Sequence, residues 1–214
     1  MGRRQLGLPG RGNRESQMKP MEGSLPVATL LRFEDQQAWE AWLDKHHATS
    51  TCVWVLLAKK GSSQRSVSYS EALEAALCYG WIDAQKRPLD EHAWLQQFVP
   101  RKERSIWSKI NRQKALALVR CGRIKAAGLR AIERAKKDGS WARAYDSPSG
   151  ASVPRDFQEA LEPNARAKAF FQTLDRANRY AVLYRIQTAK KPETRARRIA
   201  RFITMLERHE KLHP

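Results

Sequence analysis

Glu71–Arg101 reads EALEAALCYGWIDAQKRPLDEHAWLQQFVPR, and its three parts set the fold class. In the first, Leu73, Ala76 and Leu77 fall on one helical face, and Gly80 supplies the stop. Ser70 is positioned to cap this helix. The other two parts, Trp81–Asp90 and His92–Arg101, read as strands, the second ended by Pro100. Upstream, CVWVLLAKK (Cys52–Lys60) is a run of β-branched and large apolar residues closed by a polar turn, which predicts a buried strand. Before it, Asp35 precedes QQAWEAWLDKHH, where Trp39, Trp42 and Leu43 share a face and acidic residues take the other. A small sheet with helices on it predicts an α+β fold.

Downstream the pattern turns wholly helical. Ser105 can cap a helix running to about Arg120, with Gly122 behind it as a stop. A second helix runs from Ile124 to Lys137, with Ile124, Ala127, Gly128, Ala131, Ile132 and Ala135 as its stripe and Gly139 at its end. One short turn between them predicts an αα-hairpin. DSPSGASVP (Asp146–Pro154) is a linker by composition. Helices follow at Asp156–Leu161, at Pro163–Leu174 with Phe170 and Phe171 inward, and after Asp175. Pro192 opens the last, whose stripe is Ile199, Ile203 and Leu206 and whose Arg197, Arg201 and Arg208 lie on another face. The expected organisation is a disordered basic arm over residues 1–26, an α+β domain over 27–145, a linker over 146–155 and a helical module over 156–214.

The chain has 214 residues, of which 42% are hydrophobic, enough to bury about 70% of the unfolded surface without a staple. Its three cysteines are scattered, no Cys-x-x-Cys occurs, and the five histidines are not spaced for zinc. Neither a metal nor a cofactor is expected. No apolar run approaches the ~20 residues of a membrane span, and the N-terminal residues hold no apolar signal core. The expected compartment is therefore the reducing cytoplasm. Net charge is +18, unevenly placed: residues 100–140 carry +10 and residues 165–214 carry +9, whereas residues 27–99 carry −2. Such a field draws phosphates, anionic lipid or acidic proteins, although it also serves solubility alone.

Several blocks together resemble one bacterial family. They are ALCYGWID (Ala76–Asp83), PRKERSIWSKIN (Pro100–Asn111), GRIKAAGL (Gly122–Leu129), AKKDGSW (Ala135–Trp141), VPRDFQEAL (Val153–Leu161) and AKKPETRARRI (Ala189–Ile199). Their order over roughly residues 30–210 is similar to the YdeI/OmpD-associated, or bacteriocin-protection, pattern. Ala84 stands where that pattern usually has Gly or Ser, and Ile124 where it usually has Met; neither change removes a reactive group. The resemblance implies stress resistance, namely protection against bacteriocins or cationic antimicrobial peptides, and association with a porin. It implies no defined reaction.

The richest cluster of polar chemistry is Trp81, Asp83, Arg101, Ser105, Trp107, Ser108 and Asn111. Arg101 precedes an expected helix start, where unpaired backbone N–H groups carry partial positive charge. With Lys102, Arg104 and the two serines this makes an anion pocket, and Trp107 can stack on a ring. The plain alternative is that Ser105 caps, Trp107 fills the core and Asn111 ties a loop. Asp83 shares a strand face with Trp81 and can pair with Arg101, as a salt bridge or as a general base beside a cationic clamp. Lys59 and Lys60 end a strand, where they can bind phosphate or simply take up water. Cys78 reads as a buried thiol, and His46-His47 as cations suited to a helix end.

No Gly-x-Ser-x-Gly, Walker A or dinucleotide fingerprint occurs. Three functions stay open. The first is a non-enzymatic protective or binding protein with an anion-accepting pocket, its C-terminal helices contacting a protein partner. The second is non-specific nucleic-acid binding through the two basic helical blocks. The third is an enzyme on a small anionic substrate, with Asp83 as base and Arg101 as clamp.

Overall fold

The computed structural model describes residues 30–103 and 105–214. The expected basic arm, residues 1–26, and Arg104 of the expected anion pocket lie outside them. The elements in chain order are β1 (Leu30–Arg32), α1 (Gln36–His46), β2 (Val53–Ala58), α2 (Tyr69–Cys78), β3 (Trp81–Pro88) and β4 (Ala93–Pro100). Six helices follow: α3 (Lys109–Arg120), α4 (Ala126–Lys137), α5 (Arg155–Leu161), α6 (Ala165–Thr173), α7 (Arg176–Gln187) and α8 (Pro192–Glu207). The four strands form one sheet in the order β1-β2-β4-β3, with β1 parallel to β2 and the other pairs antiparallel. This is a mixed α+β chain, as the residue pattern predicts.

Alternation along β2 sends Val53, Val55 and Leu57 to one face, and register brings Phe98 of β4 opposite Val53 on that same face. Onto this face α1 lays Trp39 and Leu43, both fully buried. Asp35 starts α1 by accepting the Ala38 N–H at 2.9 Å. Trp39 then sits among Phe33, Trp42 and Phe98, with ring centroids at 5.0, 5.3 and 5.5 Å.

Two helix-capping residues differ from the sequence expectation. Ser68, not Ser70, caps α2, because Ser68 and Glu71 form a reciprocal capping box: Glu71 N–H donates to Ser68 Oγ at 3.3 Å, and Ser68 N–H donates to Glu71 Oε2 at 2.9 Å. Ser108, not Ser105, caps α3 by accepting the Asn111 N–H at 3.1 Å. Burial of Trp107 holds the preceding turn outside the helix. Its carbonyl accepts the Tyr145 N–H at 3.0 Å, while Lys109 N–H donates to the Tyr145 carbonyl at 2.8 Å. Gly122, at φ +71°, turns the chain between α3 and α4, but each helix packs on α2 rather than along the other, so the expected αα-hairpin is replaced by two helices laid separately on α2.

The apolar residues form two clusters, one reaching from Phe33 to Ala144 and the other from Phe157 to Leu206. In the second, α8 is the central helix against which α5, α6 and α7 pack. Between the clusters, residues 146–154 hold no helix or strand, yet Asp146 is only 7% exposed. Its carboxylate meets Lys109 Nζ at 2.5 Å and accepts from Gln187 Nε2 at 2.9 Å. The Tyr180 hydroxyl donates to its carbonyl at 2.9 Å, and Tyr145 meets Tyr184 edge to face at 5.0 Å.

Asp146 is thus a joint held from both sides. Asp146→Ala strands the Gln187 amide, and removing one partner of a buried polar pair costs about 2 kcal/mol after allowance for the half-open Lys109. All seven tryptophans lie between residues 39 and 141, so their fluorescence follows the first cluster alone. In the variant, the fluorescence and circular-dichroism unfolding curves are expected to separate. Coincident curves would refute the joint.

Candidate functional site

The expected cluster divides into a buried part and a surface part. Trp81 is 1% exposed; its indole N–H donates to the His47 carbonyl at 3.1 Å and its ring meets Trp42 edge-on. It belongs to the core under α1. Asp83, two residues on and half-buried, accepts from the Tyr69 hydroxyl at 2.8 Å. Burial, and next the Asp83 charge, hold the Tyr69 hydroxyl above its ordinary range. Asp83 and Arg101 form no ion pair within 4 Å. The expected Asp83–Arg101 pair is therefore replaced by a tyrosine–carboxylate pair, because Arg101 lies past the last strand pairing and turns onto Trp107.

Arg101 is 6% exposed. Its backbone N–H donates to the Gly80 carbonyl at 2.9 Å, and its carbonyl accepts from the Arg134 guanidinium at 2.9 Å. Its own guanidinium lies 3.5 Å from the Trp107 ring centroid and donates to the Ile106 carbonyl at 3.3 Å, while the buried Nε has no partner. Burial pushes this cation down to about 10. Trp107 is 2% exposed and meets Trp141 edge to face at 4.8 Å. Ser105 closes a turn by accepting the Lys102 N–H at 3.0 Å. The cavity among Arg101, Lys102, Ser105, Trp107, Arg134 and Ser140 measures about 10 Å³. It admits a water-sized occupant and not a phosphate. Ser108 and Asn111 sit at the start of α3, both half-buried.

A second assembly lies at the end of the sheet, beside Tyr69. Lys59 and Lys60 leave β2, Lys86 lies on β3 and Trp94 on β4, and with Ala58 and Pro88 they line an open groove of about 540 Å³. Lys59 Nζ donates to the Asp90 carbonyl at 2.8 Å, and Lys86 Nζ stands 4.2 Å from the Trp94 ring centroid. The Tyr69 ring lies 5.8 Å from Trp94 on the side toward Asp83. Of these residues, Lys59 and Lys60 were legible as a strand-end pair. Neither a binding motif nor a strand end marks Lys86, Trp94 or Tyr69. The Ser68-x-x-Glu71 box was the available signal for Tyr69, since it places that residue in the first turn of α2.

Elsewhere, burial pushes the Cys78 thiol up to about 11, so it is uncharged at neutral pH. Among the described residues no three His, Cys, Asp or Glu side chains gather as a metal site, and no helix is long and apolar enough to cross a membrane.

Comparison with known proteins divides the chain. Residues 31–131 match a domain of unknown function. Residues 151–209 match the family described as bacteriocin-protection, YdeI or OmpD-associated. The blocks Ala76–Asp83, Pro100–Asn111 and Gly122–Leu129 fall in the first segment, and Val153–Leu161 and Ala189–Ile199 in the second. No curated protein and no solved structure matches the chain.

Proposed function

Starting from the premise that residues 151–209 make this chain a member of the bacteriocin-protection, YdeI or OmpD-associated family, we propose that it is a non-enzymatic protective protein that works by engaging anions. Its setting in this reading is the bacterial cytoplasm, and its role is resistance to bacteriocins or cationic antimicrobial peptides. The observation that carries the reading is a set of cations without counter-charges. Arg130 and Lys137 on α4, Arg197 and Arg201 on α8, and Arg208 just past its end are all exposed. None has a carboxylate within 4 Å among the described residues.

The sign of this charge decides how protection would work. A chain at +18 repels a cationic peptide, so sequestering the peptide directly is disfavoured. Protection instead runs through a negatively charged partner that the peptide would otherwise engage. The groove on α7 between Arg176, Tyr180, Tyr184 and Arg185, about 550 Å³ with an apolar floor, supports a protein partner at the C-terminal helices.

Cells lacking the gene are expected to survive a cationic-peptide or bacteriocin challenge less well. Restoring the chain should restore survival, and a chain with Arg197→Ala, Arg201→Ala and Arg208→Ala should restore less of it. Unchanged susceptibility of the deletion strain would remove the protective role.

A further inference from the structure

The groove at the end of the sheet concentrates positive charge in a segment that is otherwise slightly acidic. Residues 27–99 carry −2 overall, with seven basic side chains, and three of those seven, Lys59, Lys60 and Lys86, line this one groove. Overall basicity therefore does not account for the concentration. Among the described residues, none of the three has a carboxylate within 4 Å. The nearby Asp90 carboxylate, whose Oδ1 accepts the N–H groups of His92 and Ala93, each at 2.7 Å, meets Lys59 only beyond ion-pair distance.

Two of the ammonium groups are held rather than loose. Lys59 is tied at both ends, its backbone N–H donating to the His92 carbonyl at 2.8 Å and its Nζ to the Asp90 carbonyl at 2.8 Å. Lys86 is drawn over the Trp94 ring by the cation–π attraction. Under this cationic rim the floor is apolar, made of Ala58, Pro88 and Trp94. The volume of about 540 Å³ falls within the usual range for small-molecule sites.

We propose that this groove binds a ring-bearing polyphosphate, the class to which nucleoside triphosphates belong. The phosphate chain lies on the three ammonium groups, which act as point charges. The ring covers the apolar floor. No lining side chain carries an amide, hydroxyl or carboxylate that would read a base edge, so the site tolerates any base. This inference rests on the anion-accepting reading above and adds to it a ligand class and a second place, apart from the α4 and α8 cations.

Calorimetric titration of the full chain with ATP, GTP, adenosine and inorganic tripolyphosphate tests it. ATP and GTP are expected to bind within about threefold of each other, tripolyphosphate about fivefold or more weakly, and adenosine not at all. Lys59→Ala, Lys60→Ala and Lys86→Ala together should weaken ATP binding about tenfold or more. These residues are exposed, so the variant's melting curve should match the parent's; Lys86→Gln alone is a milder check with the same direction. As a charge-matched control, Lys190→Ala, Lys191→Ala and Lys211→Ala together, all exposed and none lining the groove, should keep ATP affinity unchanged. A flat ATP titration, equal affinity for tripolyphosphate and ATP, or an equal loss in the charge-matched control would overturn the site. Each of those results leaves the survival assay untouched, and unchanged survival of the deletion strain leaves the titration untouched, so the two readings fail separately.

Discussion

Trp39→Ala is expected to cost about 3–5 kcal/mol of stability, the range for truncating a buried aromatic to alanine. Trp39 is fully buried and contacts three aromatic rings at 5.0–5.5 Å, so its removal leaves a cavity walled by Phe33, Trp42 and Phe98. It also removes the indole N–H that donates to the Ala72 carbonyl at 3.0 Å. These rings are held by three different elements, α1, β4 and the segment before α1, so the cavity cannot close by moving one side chain. Trp39→Phe keeps most of the ring contact and loses the hydrogen bond, for an expected cost of about 1–2 kcal/mol. Urea unfolding followed by circular dichroism measures both. A loss below about 1.5 kcal/mol for Trp39→Ala would mean that this aromatic group is not the centre of the sheet-facing core.

Gly128→Ala should destabilise the chain, against the helix propensity of the two residues. In an exposed helix interior, replacing glycine by alanine gains about 1 kcal/mol. Here a Cβ on Gly128 would stand 2.3 Å from the Cys78 carbonyl oxygen and 2.9 Å from that of Leu77. Those atoms are backbone at the end of α2 and cannot rotate away. The same crossing is pinned by Lys125 N–H donating to the Cys78 carbonyl at 3.0 Å, and Gly80, at φ +73°, lies against the Ala127 carbonyl. Adding one carbon must therefore push α4 off α2, and overpacking of this kind costs about 1–3 kcal/mol. Gly150→Ala, where the nearest atom would be a serine hydroxyl at 3.5 Å, should be close to neutral. A Gly128→Ala variant more stable than the parent would show that α4 does not sit this close to α2.

Part of the candidate site was readable in the chain itself. Arg101, Ser105, Trp107 and Ser108 are near neighbours in sequence, so their proximity follows from connectivity. Whether they open to water does not, because the surfaces that enclose them come from Arg134, Ser140 and Trp141, on and after α4. The same holds for the groove at the sheet end. Lys59-Lys60 reads as a strand-end pair, but the β3–β4 hairpin must fold back before Lys86 and Trp94 join it.

By itself the sequence determined the class of fold, the helical faces and three of the eight helix starts, since periodicity and capping depend on residues three or four apart. Asp35, Asp175 and Pro192 stand where those short-range rules place them. Only the tertiary structure decided that Arg101 is shut against Trp107, that Gly128 is a contact point rather than one more apolar position, and that Asp146 is a joint. These depend on which surfaces meet, and close packing between distant segments, unlike local propensity, leaves no trace in the spacing of a single stretch of residues.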